Sequence, residues 1–298
     1  MKQESYSISL PAHPGRLHLD APAFKIVEAS AKPAGTEFGL GGQDKDTSVN
    51  LLFFLFLVPD ESPLSSEKCR SYMLDHTKYD RIQSQRNFSA TRASLAIAEY
   101  SENGGQQHIV RAFAAKGELC ADIEFYSGHE ISADAPQIEP ILDSVTFEPD
   151  AKPQFREVFA YATVLFDQKM FKAAAPIYEQ SLSLLPQNEA SQTWRRIATD
   201  QAVMAYGMSG DIAKSRSLLA TAIKLDPKYP LNYYNLACAD AEEGNAGAAK
   251  LHLQQAFDQK EYVIKGESLP DPTQDDSILK LKSDESFWLF VESLQKNR

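Results

Sequence analysis

One spacing recurs three times in the C-terminal half of the chain and limits what that half can fold into. Ala174, Tyr178, Ser181 and Pro186 follow one another at intervals of four, three and five residues, as do Ser215, Leu219, Ala222 and Pro227, and then Ala249, Leu253, Ala256 and Glu261. Intervals of three and four put residues on one face of an α-helix. Thirteen residues before each leading position stands a pair, Tyr161-Ala162, Ala202-Val203 and Leu236-Ala237, followed four residues on by Leu165, Tyr206 and Asp240. Between pair and leading position lies a turn residue: Lys169, Gly210 and Gly244. Each unit therefore reads as two antiparallel helices, with small residues where they approach and large ones filling the gap between them.

With KLDP at 224–227 and YNLA at 234–237, the pattern resembles the tetratricopeptide repeat family, in units at about 155–188, 196–229 and 230–263. The second and third units stand 34 residues apart, the family period, while the first and second stand 41 apart. Those seven additional residues, around Ser191-Gln192-Thr193-Trp194, are close to two helical turns, so a lengthened helix or a longer connection is expected there. The sequence departs from the family at Lys169 for glycine, Val203 for a small residue, Asp240 for an aromatic and Glu261 for proline.

An array of this kind needs an end cap. Capping helices are predicted within 276–297, at Ser277–Lys282 and Asp284–Asn297, the second with Phe287, Phe290, Val291 and Leu294 along one stripe. The texture changes near Pro149–Pro153, which divides the chain into a domain at 1–150 and a repeat domain at 151–298. In the first, alternating apolar and polar residues predict strands at Tyr6–Leu10, Phe24–Ala31, Val49–Val58, Ser94–Tyr100, His108–Ala115 and Cys120–Tyr126. Helices are predicted at Leu64–Thr77, introduced by Pro63, and at Pro136–Ser144. Hairpin turns are expected at Asn103-Gly104-Gly105 and at Lys116-Gly117-Glu118. The fold class expected is thus α+β, mostly antiparallel sheet with packed helices, followed by an all-α helical solenoid. The segment PQIEPILDSVTFEP resembles the close of small PsbP and Mog1-like α+β domains.

The formal charge of −11 sits mostly in residues 1–150, which hold 13 basic and 22 acidic side chains. Nucleic-acid binding needs clustered Lys and Arg, so this balance argues against it. The longest apolar run, Leu51 to Val58, is far too short to span a bilayer and reads as a buried strand. No secretory signal is read in MKQESYSISLP, and cytoplasmic location with free thiols is the expectation. The alternative is an exported domain, its signal removed, with a Cys69–Cys120 bridge.

Catalytic motifs are sparse. His13, His18 and Asp20 form HxxxxHxD, read as polar positions on a loop and an edge strand, since spacing alone gives no convergence of metal ligands. Gly39-Leu40-Gly41-Gly42 lacks the Lys-Ser/Thr of a phosphate loop and reads as a hairpin turn or mobile loop. Neither catalytic residues, nor a metal, nor a cofactor is assigned.

The family resemblance implies a protein or peptide partner held in the groove lined by the first helix of each unit. Mapped here, that groove holds Phe159, Thr163, Phe166, Met204, Met208, Tyr234 and Asn235, with Cys238 beside them, and is mostly apolar. The family's carboxylate clamp uses Lys, Arg and Asn; Asn235 matches one position, while Phe159 and Thr163 replace others. An adaptor or scaffold binding an amphipathic helix or extended peptide follows. The rival is a small-molecule, lipid-binding or hydrolytic activity in the first domain, with Arg16, His18 and Asp20 as candidates.

Overall fold

A computed structural model describes residues 4–44, 46–58 and 64–295, in two units, Met1–Gln168 and Lys169–Arg298. Pro63, expected to introduce the first helix, and the last two residues of the expected terminal helix lie outside the described residues.

The first unit runs β1 (Ser5–Ser9), β2 (Arg16–Asp20), β3 (Lys25–Ala31), β4 (Glu37–Gln43), β5 (Asn50–Leu57), α1 (Ser66–Asp75), β6 (Arg81–Ser89), β7 (Ser94–Glu102), β8 (Gln107–Lys116), β9 (Leu119–Ser127), α2 (Glu139–Ser144), β10 (Thr146–Glu148) and α3 (Phe155–Asp167). Seven strands form one antiparallel sheet in the order β3-β4-β5-β9-β8-β7-β6. Three more form a small sheet, β1-β2-β10.

The apolar run of β5 shows how the layers are built. Successive side chains of a strand point to opposite faces. Leu51, Phe53 and Leu55 are wholly buried, on the side where Tyr6 of β1 meets Phe53 at 6.1 Å and Phe24 meets Phe125 at 6.3 Å. Leu52, Phe54 and Phe56 take the other face and stay half-buried. That second face carries α1, which is capped by Ser65 accepting from the Lys68 N–H and fixed by a disulfide between Cys69 and Cys120, Cα atoms 6.2 Å apart. The expected free thiols are therefore corrected: the two cysteines meet because α1 lies across β9, inside a cluster with Val58, Leu64 and Phe113.

Gly39-Leu40-Gly41-Gly42 is likewise no turn but the middle of β4. Gly39 pairs with Phe54, and a Cβ there would stand 2.1 Å from the Phe54 ring. At Gly41 it would stand 2.4 Å from the Glu28 side chain. The glycines are spaces into which neighbouring strands lay their side chains. Strands β2, β6 and β10 were also absent from the sequence expectation as defined strands.

Helix α3 belongs with the sheets. Tyr161 is fully buried, donates its hydroxyl to the Lys32 carbonyl at 2.6 Å and the Glu37 carbonyl at 2.9 Å, and meets the Phe38 ring at a tilt, centroids 5.0 Å apart. Glu157 accepts from Arg16 and from Ser9, and closes a capping box with Gln154. The contact boundary thus falls after Gln168, one helix later than the change of texture at Pro149–Pro153.

The second unit comprises α4 (Phe171–Ser183), α5 (Gln192–Met208), α6 (Ile212–Leu225), α7 (Pro230–Glu242), α8 (Ala246–Asp258), α9 (Asp276–Leu279) and α10 (Glu285–Gln295). It is a helical solenoid of tetratricopeptide type: α5/α6 and α7/α8 are hairpins whose second helices begin at Ile212 and Ala246. Gly210 and Gly244 turn at φ 84° and 74°, and Lys169 adopts the same left-handed form at φ 61°. Asp211 and Asn245 then cap α6 and α8 through the N–H groups of Lys214 and Ala248. The terminal helix packs on α8: Phe287, Val291 and Leu294 are buried in one cluster with Leu253, Ala256 and Phe257.

Candidate functional site

The irregular join between α4 and α5 leaves a cavity in the helical unit. Helix α5 has 17 residues against 13 in α7, and a single 3₁₀ turn, Glu189–Ser191, precedes it, held by Asn188 accepting the Ser191 N–H at 3.0 Å. A longer helix and a longer connection together absorb the additional residues. Between the end of α4, the start of α5 and the end of α6 this leaves a space of about 560 Å³. Its apolar lining is Leu182, Leu218, Ala222 and Leu225; Gln187, Asn188 and Gln192 bring amides. Leu225 is 61% exposed.

Glu189, Arg195, Arg196 and Asp226 bring charge to this cavity, and the last two are paired. Arg196 donates to Asp226 at 2.7 Å, as does Gln192 at 3.1 Å, and its guanidinium lies 4.5 Å over the Tyr229 ring. Arg195 donates to the Pro186 carbonyl at 2.6 Å. A partner would meet leucines and amides, with Glu189 and Arg195 also on the lining. The volume is that of an ordinary ligand pocket, roughly 300–1,000 Å³.

The expected groove residues are placed differently from one another. On α3, Phe159, Thr163 and Phe166 are partly exposed; Phe159 stacks on Phe155 at 5.6 Å, and Thr163 donates to the Phe159 carbonyl. On α5, Met204 is half-buried and Met208 is 59% exposed. Tyr234 of α7 is only 2% exposed, in a cluster with Leu269, Ile278 and Leu281, so its ring has no face left for a partner. Asn235 donates to Asp200 at 2.6 Å. The chain itself, between Val263 and Leu281, covers this part of α7. Cys238 lies there too, 3.7 Å from both carboxylate oxygens of Asp275, and burial pushes its thiol well up.

The departures from the family pattern have local causes. Asp240, where the second unit has Tyr206, is 2% exposed and bound by Arg216 at 2.5 Å and by His252 at 2.6 Å. Tyr206 donates to Glu179, which also takes Lys214.

In the first unit, Arg16, His18 and Asp20 share the outer face of β2, and each has a partner there. Arg16 binds Glu148 and Glu157, His18 meets Ser7 at 2.7 Å, and Asp20 accepts from Ser5. Among the described residues no group of three or more His, Cys, Asp or Glu is placed to hold a metal, and no helix is long and apolar enough to cross a membrane. A buried charge cluster, missed by the sequence reading, joins Arg111 of β8 to Asp122 and Glu124 of β9. Tyr100 and Thr77 accept from the same guanidinium. Burial holds the Glu124 carboxyl up to about 7 against the pull of Arg111. With every partner internal, this cluster is a cross-strand brace.

No family model matches the chain, and no match was found among curated proteins. Among solved structures, YrrB, a TPR protein with an unusual peptide-binding site, is 21% identical over 45% of this chain and 58% of its own, with a TM-score of 0.32. The Sgt2 TPR domain from Aspergillus fumigatus is 19% identical over 49% of this chain and 83% of its own, TM-score 0.34. A protein from Bacteroides thetaiotaomicron VPI-5482 is 11% identical over 68% and 79%, TM-score 0.36. The chain spans little more than half of the YrrB structure's length. The recurring intervals and the helix hairpins that follow them are features of this chain itself.

Proposed function

We propose that this protein is a non-enzymatic interaction adaptor whose helical unit takes up a short apolar stretch of a partner chain in the cavity bounded by α4, α5 and α6. The observation that carries this reading is the pairing of exposed Leu225 with an apolar floor of Leu182, Leu218 and Ala222. Covering a leucine of this kind yields about 1.5–3 kcal/mol when burial is complete. The rim amides of Gln187, Asn188 and Gln192 can satisfy a peptide backbone, which has donors and acceptors but no charge. Met208 offers further apolar contact along α5.

Selection of displayed peptides against the full chain tests this. Enriched sequences are expected to carry closely spaced apolar anchors, and Leu218→Asp or Leu225→Asp should weaken them at least tenfold, about 1.4 kcal/mol, with helicity unchanged. Selection of no peptide, or binding indifferent to both changes, would end the proposal.

For the first unit, the short helix α2 followed by β10 is what supports kinship with the PsbP and Mog1-like architecture. The Cys69–Cys120 bridge favours a working place in an oxidising compartment. Protein unfolded in a thiol-blocking reagent without reductant should carry one alkylated cysteine, Cys238; three would refute this.

A further inference from the structure

One end of the large sheet carries amides and a phenol where the middle of the same face carries Leu52 and Phe54. Asn50 of β5 pairs with Tyr126 of β9, and Tyr126 pairs with Ile109 of β8, so their side chains share a face. That face is the one on which α1 lies, since Tyr126 packs against a cluster of Leu74, Tyr100 and Ile109. Gln107, two residues before Ile109, returns to it. The turn between β7 and β8 adds Asn103 and Gln106, and with Ser127 these residues line a hollow of about 380 Å³, within the size range of ligand sites.

The turn that forms one wall is held in place from within the unit. Asn103, Gly104 and Gly105 all take positive φ, at 56°, 69° and 80°. The Asp80 carboxylate accepts the Gly104 and Gly105 N–H groups at 2.7 and 3.1 Å. Asn103 in turn donates to the Gln107 side-chain carbonyl at 3.2 Å, which sets both amides relative to the strands. Ser127 is spent on His129 at 2.7 Å. Among the described residues, the Asn50 amide and the Tyr126 hydroxyl make no hydrogen bond. A wall already ordered lowers the cost of binding.

We propose that this hollow binds a neutral saccharide. None of the described residues lining it is charged, so a charged ligand would give up its water with no counter-charge to receive it. An apolar ligand would strand the amides instead. A carboxamide offers both donors and an acceptor, as a pair of neighbouring sugar hydroxyls requires. The half-buried Tyr126 ring supplies apolar surface for the C–H side of a sugar ring, with a polar tip. Burial holds its hydroxyl up, with Glu28 and Glu124 adding, so it keeps its proton and can donate; the same two carboxylates disfavour an acidic glycan. A peptide bound by strand addition needs an unpaired edge, whereas β5, β9 and β8 are each paired on both sides.

A glycan array probed with the full chain tests this, carrying neutral oligosaccharides beside sialylated and sulfated glycans and cationic chitosan oligomers. The strongest neutral binder is then titrated in solution, where saturation with a dissociation constant of about 1 mM or tighter is expected. Asn50→Ala and Gln107→Ala should each weaken it about fivefold, and Tyr126→Phe, which keeps the ring, about threefold, with unfolding midpoints showing that each variant is folded. Absence of any saturable neutral binder, preference for the charged glycans, or binding unmoved by all three changes overturns the proposal. Tighter binding of a blocked trialanine peptide does so too, by reassigning the hollow to peptides. The site lies wholly in the first unit, so the peptide-binding reading of the helical unit stands or falls separately.

Discussion

Lys169 holds a left-handed backbone that the two equivalent turns give to glycine, at φ 61° against 84° and 74°. For a side chain with a Cβ this conformation costs about 1–2 kcal/mol, partly offset because glycine loses more freedom on folding. Lys169→Gly should therefore raise stability by about 0.5–1 kcal/mol, whereas Gly244→Ala should lower it by about 1 kcal/mol or more. Nothing stands within 4 Å of the Cβ that Gly244→Ala would add, so the loss would come from the backbone alone. Denaturant midpoints of the two variants check both signs. Asp240 shows the opposite kind of departure: it replaces an aromatic residue yet is fully used, by Arg216 and His252.

Between elements, the fit of β4 to its neighbours is set by what its glycines omit. Gly39→Ala should cost about 1–3 kcal/mol by forcing the Phe54 ring aside. Most of that loss should vanish when Phe54→Ala is already present, a non-additivity that thermal or chemical unfolding of the four proteins would reveal. The same glycines explain why β4 escaped a reading by pattern, because four residues with three glycines carry no alternation. Strand β6 escaped because, as an edge, it alternates only between exposed and half-exposed residues. The helix hairpins were legible because fixed intervals survive in the sequence whatever lies around them. The burial of Tyr234 was not legible for the converse reason: what covers it is a segment 35–47 residues downstream, Leu269 to Leu281, and no periodicity announces such a cover. The cavity had one trace in the sequence, the additional residues between the first two units, though not the side chains that line it.

Across the whole chain, α3 matters most to where a fragment can be cut. It begins a repeat by its spacing and finishes the sheet unit by its contacts, through Tyr161 and Glu157. A fragment ending at 168 should unfold cooperatively, and one ending at 150 should be weaker by about 3 kcal/mol or more, because Arg16 loses Glu157 and the Phe38 ring loses its cover. Equal unfolding midpoints for the two fragments would show that α3 contributes nothing to the sheets.

The small sheet also has a consequence in time. β2 lies between β1 and β10, and β10 comes off the ribosome more than a hundred residues after it. Arg16 must wait longer still, for Glu157. These contacts of β2 must therefore wait for residues made much later, while each helix hairpin behind them can form from neighbours made within the same few seconds. The chain is built so that its slowest-folding part is the part synthesised first.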